Sequence, residues 1–256
     1  MTDPATSQDT GNAPALSIVI PALNEQDNVA PLVQQVSKAM TDGGIDAELI
    51  IIDDGSTDQT LTNLKTLQAE HPFLRVLHRP EPRGQSAAMH AGIQAARGRC
   101  IATLDADLQN DPADLPVMLA KIDAEQVDMV QGDRSANRND HAIRKIGSVI
   151  GRKARLWILK DPARDTGCSA RVVRAEIARQ FPLQFKGMHR FMPAYARMLG
   201  AKIIEVPVTH HARHTGDTKY GMGLLSRGPA GLADLFAVRW MTKRYRDTST
   251  QTIASG

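Results

Sequence analysis

The stretch Leu49–Thr60 reads LIIIDDGSTDQT. Four aliphatic residues in a row leave no polar face, the mark of a strand buried on both sides. The run then stops on two aspartates, a glycine and a serine, which turn the chain rather than extend it. Leu61, Leu64 and Leu67 follow at helical spacing, with Ser56 or Thr57 expected as the N-cap. A buried strand, an acidic turn and a helix in so short a stretch make the first part of a βαβ unit.

The same order repeats on both sides of it. Upstream, Leu16–Ile20 is an apolar run stopped by Pro21 and followed by polar Asn24, Glu25, Gln26, Asp27 and Asn28. Val29, Leu32, Val33, Val36 and Met40 then recur at helical spacing, and Gly43–Gly44 closes that helix. Downstream, Phe73–Leu77 reads as a third strand. Gln85–Arg97 reads as a helix of small residues suited to close packing, with Gly98 as its C-cap, and Cys100–Leu104 as a fourth strand. This rhythm predicts an α/β domain with a mostly parallel sheet, right-handed crossovers and ligands beyond the carboxyl ends of the strands. Pro21–Glu25, Asp53–Ser56 and Asp105–Asp107 all fall at such ends and are expected to converge.

LDADLQNDP, Leu104–Pro112, places two carboxylates two residues apart where a strand finishes. Aspartate is a poor strand former, and like charges this close repel unless a cation lies between them. One Asp-x-Asp alone is a weak signal. Opposite a second acidic strand end, it reads as a site for Mg²⁺ or Mn²⁺, which take oxygen ligands and share them with substrate phosphates. Gln109 can add an amide oxygen. Asp54 suits a hydrogen bond from a nucleotide base or ribose, and equally an Asx turn before Gly55.

At 256 residues, 42% hydrophobic and 23% charged, the chain has the composition of a soluble globular protein. No apolar run approaches the length of a membrane span, and the N-terminus lacks the basic start and apolar core of a secretory signal. Residues 1–15 are read as a disordered leader, 16–222 as one domain, 223–246 as an amphipathic basic helix and 247–256 as a disordered tail. Two cysteines in so long a chain give no disulfide framework or zinc site, and a cytoplasmic location follows as the default. Net charge is only +3, but Arg134–Lys160 carries eight Lys/Arg against one acid, Asp140. A second basic cluster, Arg239–Arg246, lies near the C-terminus. Either is a solvated face or a surface for phosphates. Nucleic acid is disfavoured as a partner, because 4% aromatic content leaves few stacking platforms.

SIVIPALNEQDNV (17–29), ELIIIDDGSTDQT (48–60), RGQSAAMHAGIQAARG (83–98) and LDADLQNDP (104–112), in that order, resemble family 2 glycosyltransferases of the GT-A fold. GDR (132–134), RKIGS (144–148), DTGCSARVVR (165–174), MHRFMPAYARMLGAKIIEVPV (188–208) and HHARHTGDTKYG (210–221) are similar to the dolichol-phosphate mannosyltransferase branch. That resemblance implies an inverting, metal-dependent transfer of sugar from a GDP- or UDP-sugar to a polyprenyl monophosphate. It implies a nucleotide-sugar pocket of Pro21, Ala22, Asn24, Glu25, Asp54, Gly84 and Ala106, and a metal at Asp105 and Asp107 with Gln109. It places the acceptor phosphate at Arg134, Arg144, Ser148 and Arg213, with Lys219 in a loop closing over the site. Asp105, Asp107 and Arg213 are the expected catalytic residues.

Two departures stand out. Ser169 occupies a position where the branch usually has glycine, and the C-terminal pair of transmembrane helices that many bacterial relatives carry is missing. Asp165 is either a base, if the acceptor is a saccharide or lipid hydroxyl, or a partner for a neighbouring arginine or local turn. His189, His210, His211 and His214 show no metal-ligand spacing and are read as loop residues or phosphate neighbours. Leu156 and Trp157 are read as core or interfacial anchors. Leu224, Leu225, Leu232, Leu235, Phe236 and Trp240 recur at roughly helical spacing ahead of Lys243, Arg244 and Arg246. That stripe either lies in a membrane interface at the inner face of the cytoplasmic membrane or packs on the domain. Gly228–Pro229 is expected to break or start the helix.

Overall fold

The structure, a computed structural model, describes residues 13–135, 153–212 and 224–247, with side chains described from 231 onward in the last segment. Seven strands form one sheet in the order β3-β2-β1-β4-β6-β5-β7. They are β1 (Leu16–Ala22), β2 (Ala47–Asp54), β3 (Leu74–Arg79), β4 (Cys100–Thr103), β5 (Met129–Asp133), β6 (Arg171–Arg174) and β7 (Ile203–Pro207). The helices between them are α1 (Val29–Asp42), α2 (Thr60–Glu70), α3 (Gln85–Ala95), α4 (Asp114–Ala124), α6 (Ala175–Ala178), α7 (Met192–Met198) and α8 (Leu224–Arg244). The described part of α5 covers residues 153–159. Only β6 runs against its neighbours, antiparallel to both β4 and β5; every other pairing is parallel.

The aliphatic runs form strands because both faces of the sheet are covered. Ile18, Ile20, Leu49 and Ile51 point into a core with α1, α2 and α4. Val19, Ile50 and Ile52 point the other way, into a core with α3, α7 and α8. The small residues of α3 serve the expected close approach: a side chain on Gly92 would meet Val19 Cγ1 at 2.5 Å and Ile52 Cδ1 at 2.6 Å.

Several local expectations are corrected. β1 continues through Pro21 to Ala22, beyond the last β1–β4 pair, Val19–Thr103, so the missing N–H interrupts no bond to β4. β3 starts and ends later than expected, running to Arg79. α2 starts at Thr60, because the Asp58 carboxylate accepts the Thr60 N–H at 2.9 Å, while Ser56 and Thr57 serve the β1 loop. α3 ends at Ala95, and Gly98 is no cap. The Gly98 N–H donates to Ser17 Oγ at 2.8 Å, in a place where a Cβ would come within 2.6 Å of the Ser17 nitrogen. Pro14 and Ala15, assigned to the leader, are tied to the sheet through Arg99, Asp46 and Cys100. α8 runs straight through Gly228–Pro229 as one helix.

Parallel register sets the site. Ala22 lies opposite Asp53, Asp54 opposite Arg79, and Val19 opposite Thr103. The carboxyl ends of β1, β2, β3 and β4 therefore share one edge. The reversed β6 presents its amino-terminal end there instead, which brings the 165–170 segment to the same place.

Candidate active site

The two loops after β1 and β2 are joined first. Asn24 takes a positive φ of 53°, a conformation asparagine tolerates better than most residues. Its N–H donates to Ser56 Oγ at 2.8 Å and its side-chain oxygen accepts the Thr57 N–H at 2.8 Å. The Glu25 N–H donates to Thr60 Oγ1 at 2.8 Å, and Glu25 accepts the Asn28 amide at 2.6 Å. Asn24 and Glu25 thus build the wall between β1 and β2, beside Pro21 and buried Ala22.

The two aspartates of β2 divide the work. Asp53 turns the chain, accepting the Ser56 N–H at 3.3 Å and pairing with His78 Nδ1 at 2.7 Å. Asp54, 3% exposed, accepts the N–H of Arg83 at 3.1 Å and of Gly84 at 2.6 Å, with Arg79 at 3.4 Å. Gly84 sits at φ 92°, where a side chain is strained, so the turn into α3 needs glycine. Arg79 is held in turn by the Ala87 carbonyl at 2.7 Å.

Gln85, the first residue of α3, carries this arrangement across to the acidic loop: its Nε2 donates to Asp105 Oδ1 at 2.7 Å. On the other side, Ser169 Oγ accepts the Asp105 N–H at 3.2 Å and the Asn110 amide at 2.6 Å. The Gln109 N–H folds back onto Asp107 Oδ1 at 3.2 Å through Leu108, which takes a positive φ of 61° with its side chain buried. Ala106 is buried between the two acids. The Gln109 carbonyl accepts the His211 N–H at 2.8 Å, so the late histidine-rich segment crosses this loop.

Burial, and then the charge of Asp107, push the Asp105 carboxyl above its usual range, opposed by Ser169, Arg171 and Arg134. That mutual repulsion and the oxygen-only donor set fit a hard divalent cation. Among the described residues no group of three His, Cys, Asp or Glu side chains gathers to hold a metal. Two carboxylates with a possible amide suit Mg²⁺ or Mn²⁺, whose remaining positions fall to phosphate and water.

Arg134 and Asp165 meet beside Asp105. Arg134 Nε donates to Asp165 Oδ2 at 2.7 Å and Nη2 to Oδ1 at 3.0 Å, a bidentate pair in which both side chains are largely buried. Asp165 also accepts the N–H of Gly167 at 3.1 Å. Of the two readings of Asp165, the one that orients a neighbouring arginine matches this geometry. Arg171, buried in β6, supports the segment through Gln131 Oε1 at 2.8 Å and the Thr166 carbonyl at 2.9 Å. Arg144, Ser148, Arg213, His214 and Lys219 lie outside the described residues.

The other singled-out residues fall elsewhere. His189 Nδ1 pairs with Ser86 Oγ at 2.7 Å, and burial, with Arg171 and Arg190 nearby, pushes it down to about 3, so it is neutral. His211 pairs with Asp111 at 3.1 Å. Trp157 and Leu156 are 81% and 51% exposed and belong to no core. Gln85, Asn110, Arg79 and Arg171 carry no assignment from the sequence, although Gln85, Asn110 and Arg171 lie inside quoted motifs.

The fold is that of GT-A glycosyltransferases. The family model for "Glycosyl transferase family 2" matches residues 17–181, and the chain belongs to that family. It is 41% identical over 236 residues to the dodecaprenyl-phosphate galacturonate synthase of Rhizobium johnstonii, covering 89% of this chain and 67% of that one. It is 35% identical over 208 residues to the undecaprenyl-phosphate 4-deoxy-4-formamido-L-arabinose transferase of Klebsiella pneumoniae, covering 80% of this chain and 62% of that one. The chain thus spans about two thirds of the length of these curated relatives. Among solved structures, glucosyl-3-phosphoglycerate synthase from Mycobacterium tuberculosis, in complex with Mn²⁺, UDP-glucose and phosphoglyceric acid, superposes with a TM-score of 0.66 at 19% identity, covering 92% of this chain and 81% of that one.

Proposed function

We propose that this chain transfers a sugar, with inversion, from a GDP- or UDP-sugar to a polyprenyl monophosphate. The observation that carries the reading is the Arg134–Asp165 pair. Asp165 is engaged bidentately by the Arg134 guanidinium, so the group offered to an acceptor is a fixed cation and not a base. A phosphate acceptor needs that cation, because its charge must approach a diphosphate. It needs no protein base, since a phosphate monoester with a second pKa of about 6 is largely ionised near neutrality. A hydroxyl acceptor would need the base that this geometry does not free. The polyprenyl phosphates in the names of the two relatives point the same way.

In this reading the wall of Pro21, Ala22, Asn24 and Glu25, with Asp54, Gly84 and Ala106, holds the nucleotide. Asp105 and Asp107, with Gln109, hold Mg²⁺ or Mn²⁺, which when bound offsets the charge gathering on the leaving diphosphate. Arg134, with Arg144, Ser148, Arg213 and Lys219, receives the acceptor phosphate and aims one oxygen at the anomeric carbon. A new C–O bond forms there as the bond to the diphosphate breaks, and the nucleoside diphosphate leaves with the bonding pair. The protein contributes positioning and electrostatics. The test is a panel of radiolabelled nucleotide sugars incubated with polyprenyl phosphates and Mg²⁺ or Mn²⁺. Label is expected in the organic phase with at least one donor; transfer only to free saccharides would overturn the acceptor assignment.

The acceptor lies in a membrane, and among the described residues no helix is long and apolar enough to cross one. We place the chain at the inner face of the cytoplasmic membrane, as a peripheral protein. α8 supports this because it uses both of its faces. Leu235 and Val238 are buried against the domain, while Leu232, Phe236 and Trp240 are 46%, 53% and 60% exposed at four-residue intervals. Arg244 lies 5.5 Å over the Trp240 ring, beside Lys243, which suits an anionic interface. Flotation with anionic vesicles is expected to exceed that with neutral ones, to weaken with salt, and to fall several-fold in a Phe236→Ser, Trp240→Ser variant. Equal flotation of parent and variant would remove α8 from this role.

A further inference from the structure

We propose that Ser169 is a positioning residue whose hydroxyl sets how tightly the Asp105–Asn110 loop holds its divalent cation. This rests on the metal reading above and assigns a role to a side chain outside the ligand set.

A serine hydroxyl has one proton to give and two lone pairs to fill. At Ser169 both lone pairs are used within one loop. Oγ accepts the Asp105 N–H at 3.2 Å and the Asn110 amide at 2.6 Å. Ser169 and Asn110 are each 5% exposed, so water has little room to replace a lost partner. The hydroxyl is itself fixed, because the Ser169 carbonyl accepts Thr103 Oγ1 at 2.6 Å from the strand that carries the acidic loop.

The loop needs such support. Leu108 holds a positive φ of 61°, which costs an aliphatic residue backbone energy and persists only when the surroundings impose it. Ser169 on one side and Gln85 on the other hold Asp105 in place. Without the hydroxyl, the Asp105 N–H and the Asn110 amide lose a buried partner, and the loop can regain them only by turning away from its present geometry. Partners of this kind behind a metal site typically change metal affinity by roughly 10- to 100-fold.

The test measures Mn²⁺ binding to the full chain by electron paramagnetic resonance, with UDP or GDP present, and nucleotide binding separately in EDTA. Ser169→Ala is expected to weaken Mn²⁺ about 10-fold while nucleotide affinity in EDTA stays within about twofold of the parent. Should that variant fail to fold, Ser169→Cys fills the same space with a poor hydrogen-bonding group and is expected to weaken Mn²⁺ similarly. Unchanged Mn²⁺ affinity in the folded variant would overturn the inference, and so would an equal fall in nucleotide affinity in EDTA. A parent that binds no Mn²⁺ would instead overturn the metal reading, and the two failures are thereby told apart.

Discussion

Asp107→Ala is expected to lower sugar transfer by about 10²- to 10³-fold while raising thermal stability in metal-free buffer. The two effects have one cause. Asp105 and Asp107 are held close, and Asp105 has its proton affinity raised by burial and then by the charge of Asp107. A carboxyl whose folded pKa lies above its unfolded value stabilises the fold below the unfolded pKa and loses that contribution as pH rises through the folded pKa. The repulsion between the two carboxylates therefore weighs on the metal-free parent more as pH rises, and a bound cation would relieve it. Removing Asp107 removes that repulsion and, on the proposed reading, one ligand of the cation. Melting curves in EDTA across pH, beside turnover in Mn²⁺, measure both halves. A variant that lost stability in EDTA, or kept full turnover, would show that the pair is not poised for a cation. Acidifying the metal-free parent from neutrality should stabilise this loop until other carboxylates protonate.

Arg134→Ala is expected to cut kcat/KM for the lipid phosphate about 100-fold, with donor affinity in Mn²⁺ within two- to threefold of the parent. Asp165→Ala should fall nearly as far, because the freed guanidinium loses its aim. The double variant should be little worse than Arg134→Ala alone, since both lesions remove one oriented cation. It should also be more stable than the singles, each of which takes the opposite charge away from a largely buried group. An Asp165 acting as base would give another pattern: loss far beyond that of Arg134→Ala, and loss of a carboxylate ionisation from the pH–rate profile. Calorimetry for the donor and initial rates for the acceptor separate the two.

The first half of the chain was legible because its strands are buried on both faces. Leu49–Ile52 and Cys100–Leu104 cannot alternate polar residues there, so they stand out as aliphatic runs. The acids at their ends were legible for the opposite reason, as residues a strand does not favour. β6 was not. Its four residues RVVR begin and end on arginine, and the burial of Arg171 depends on Gln131 and Thr166, which no local pattern reveals. The start of α2 was missed by a few residues because Asp58, rather than Ser56 or Thr57, supplies the capping oxygen. Gln85 and Ser169 were hidden similarly: each acts on Asp105 through space, from 20 and 64 residues away. α8 read as one stripe with two readings, where the helix divides its apolar residues between domain and solvent.

The reversed β6 has a consequence for how such enzymes diversify. Gln131 pairs with Arg171, so the chain between β5 and β6 leaves the sheet and returns to it at neighbouring points. Arg134 stands at one foot of this connection, and Asp165 and Ser169 at the other. Lengthening a loop between fixed ends costs little, about 0.6 kcal/mol for each doubling. The side proposed for the donor is instead tied directly across, Gly84 to Asp54 and Gln85 to Asp105. On the proposed assignment of acceptor and donor, acceptor choice could be rewritten between these two feet while the donor half of the scaffold stays as it is.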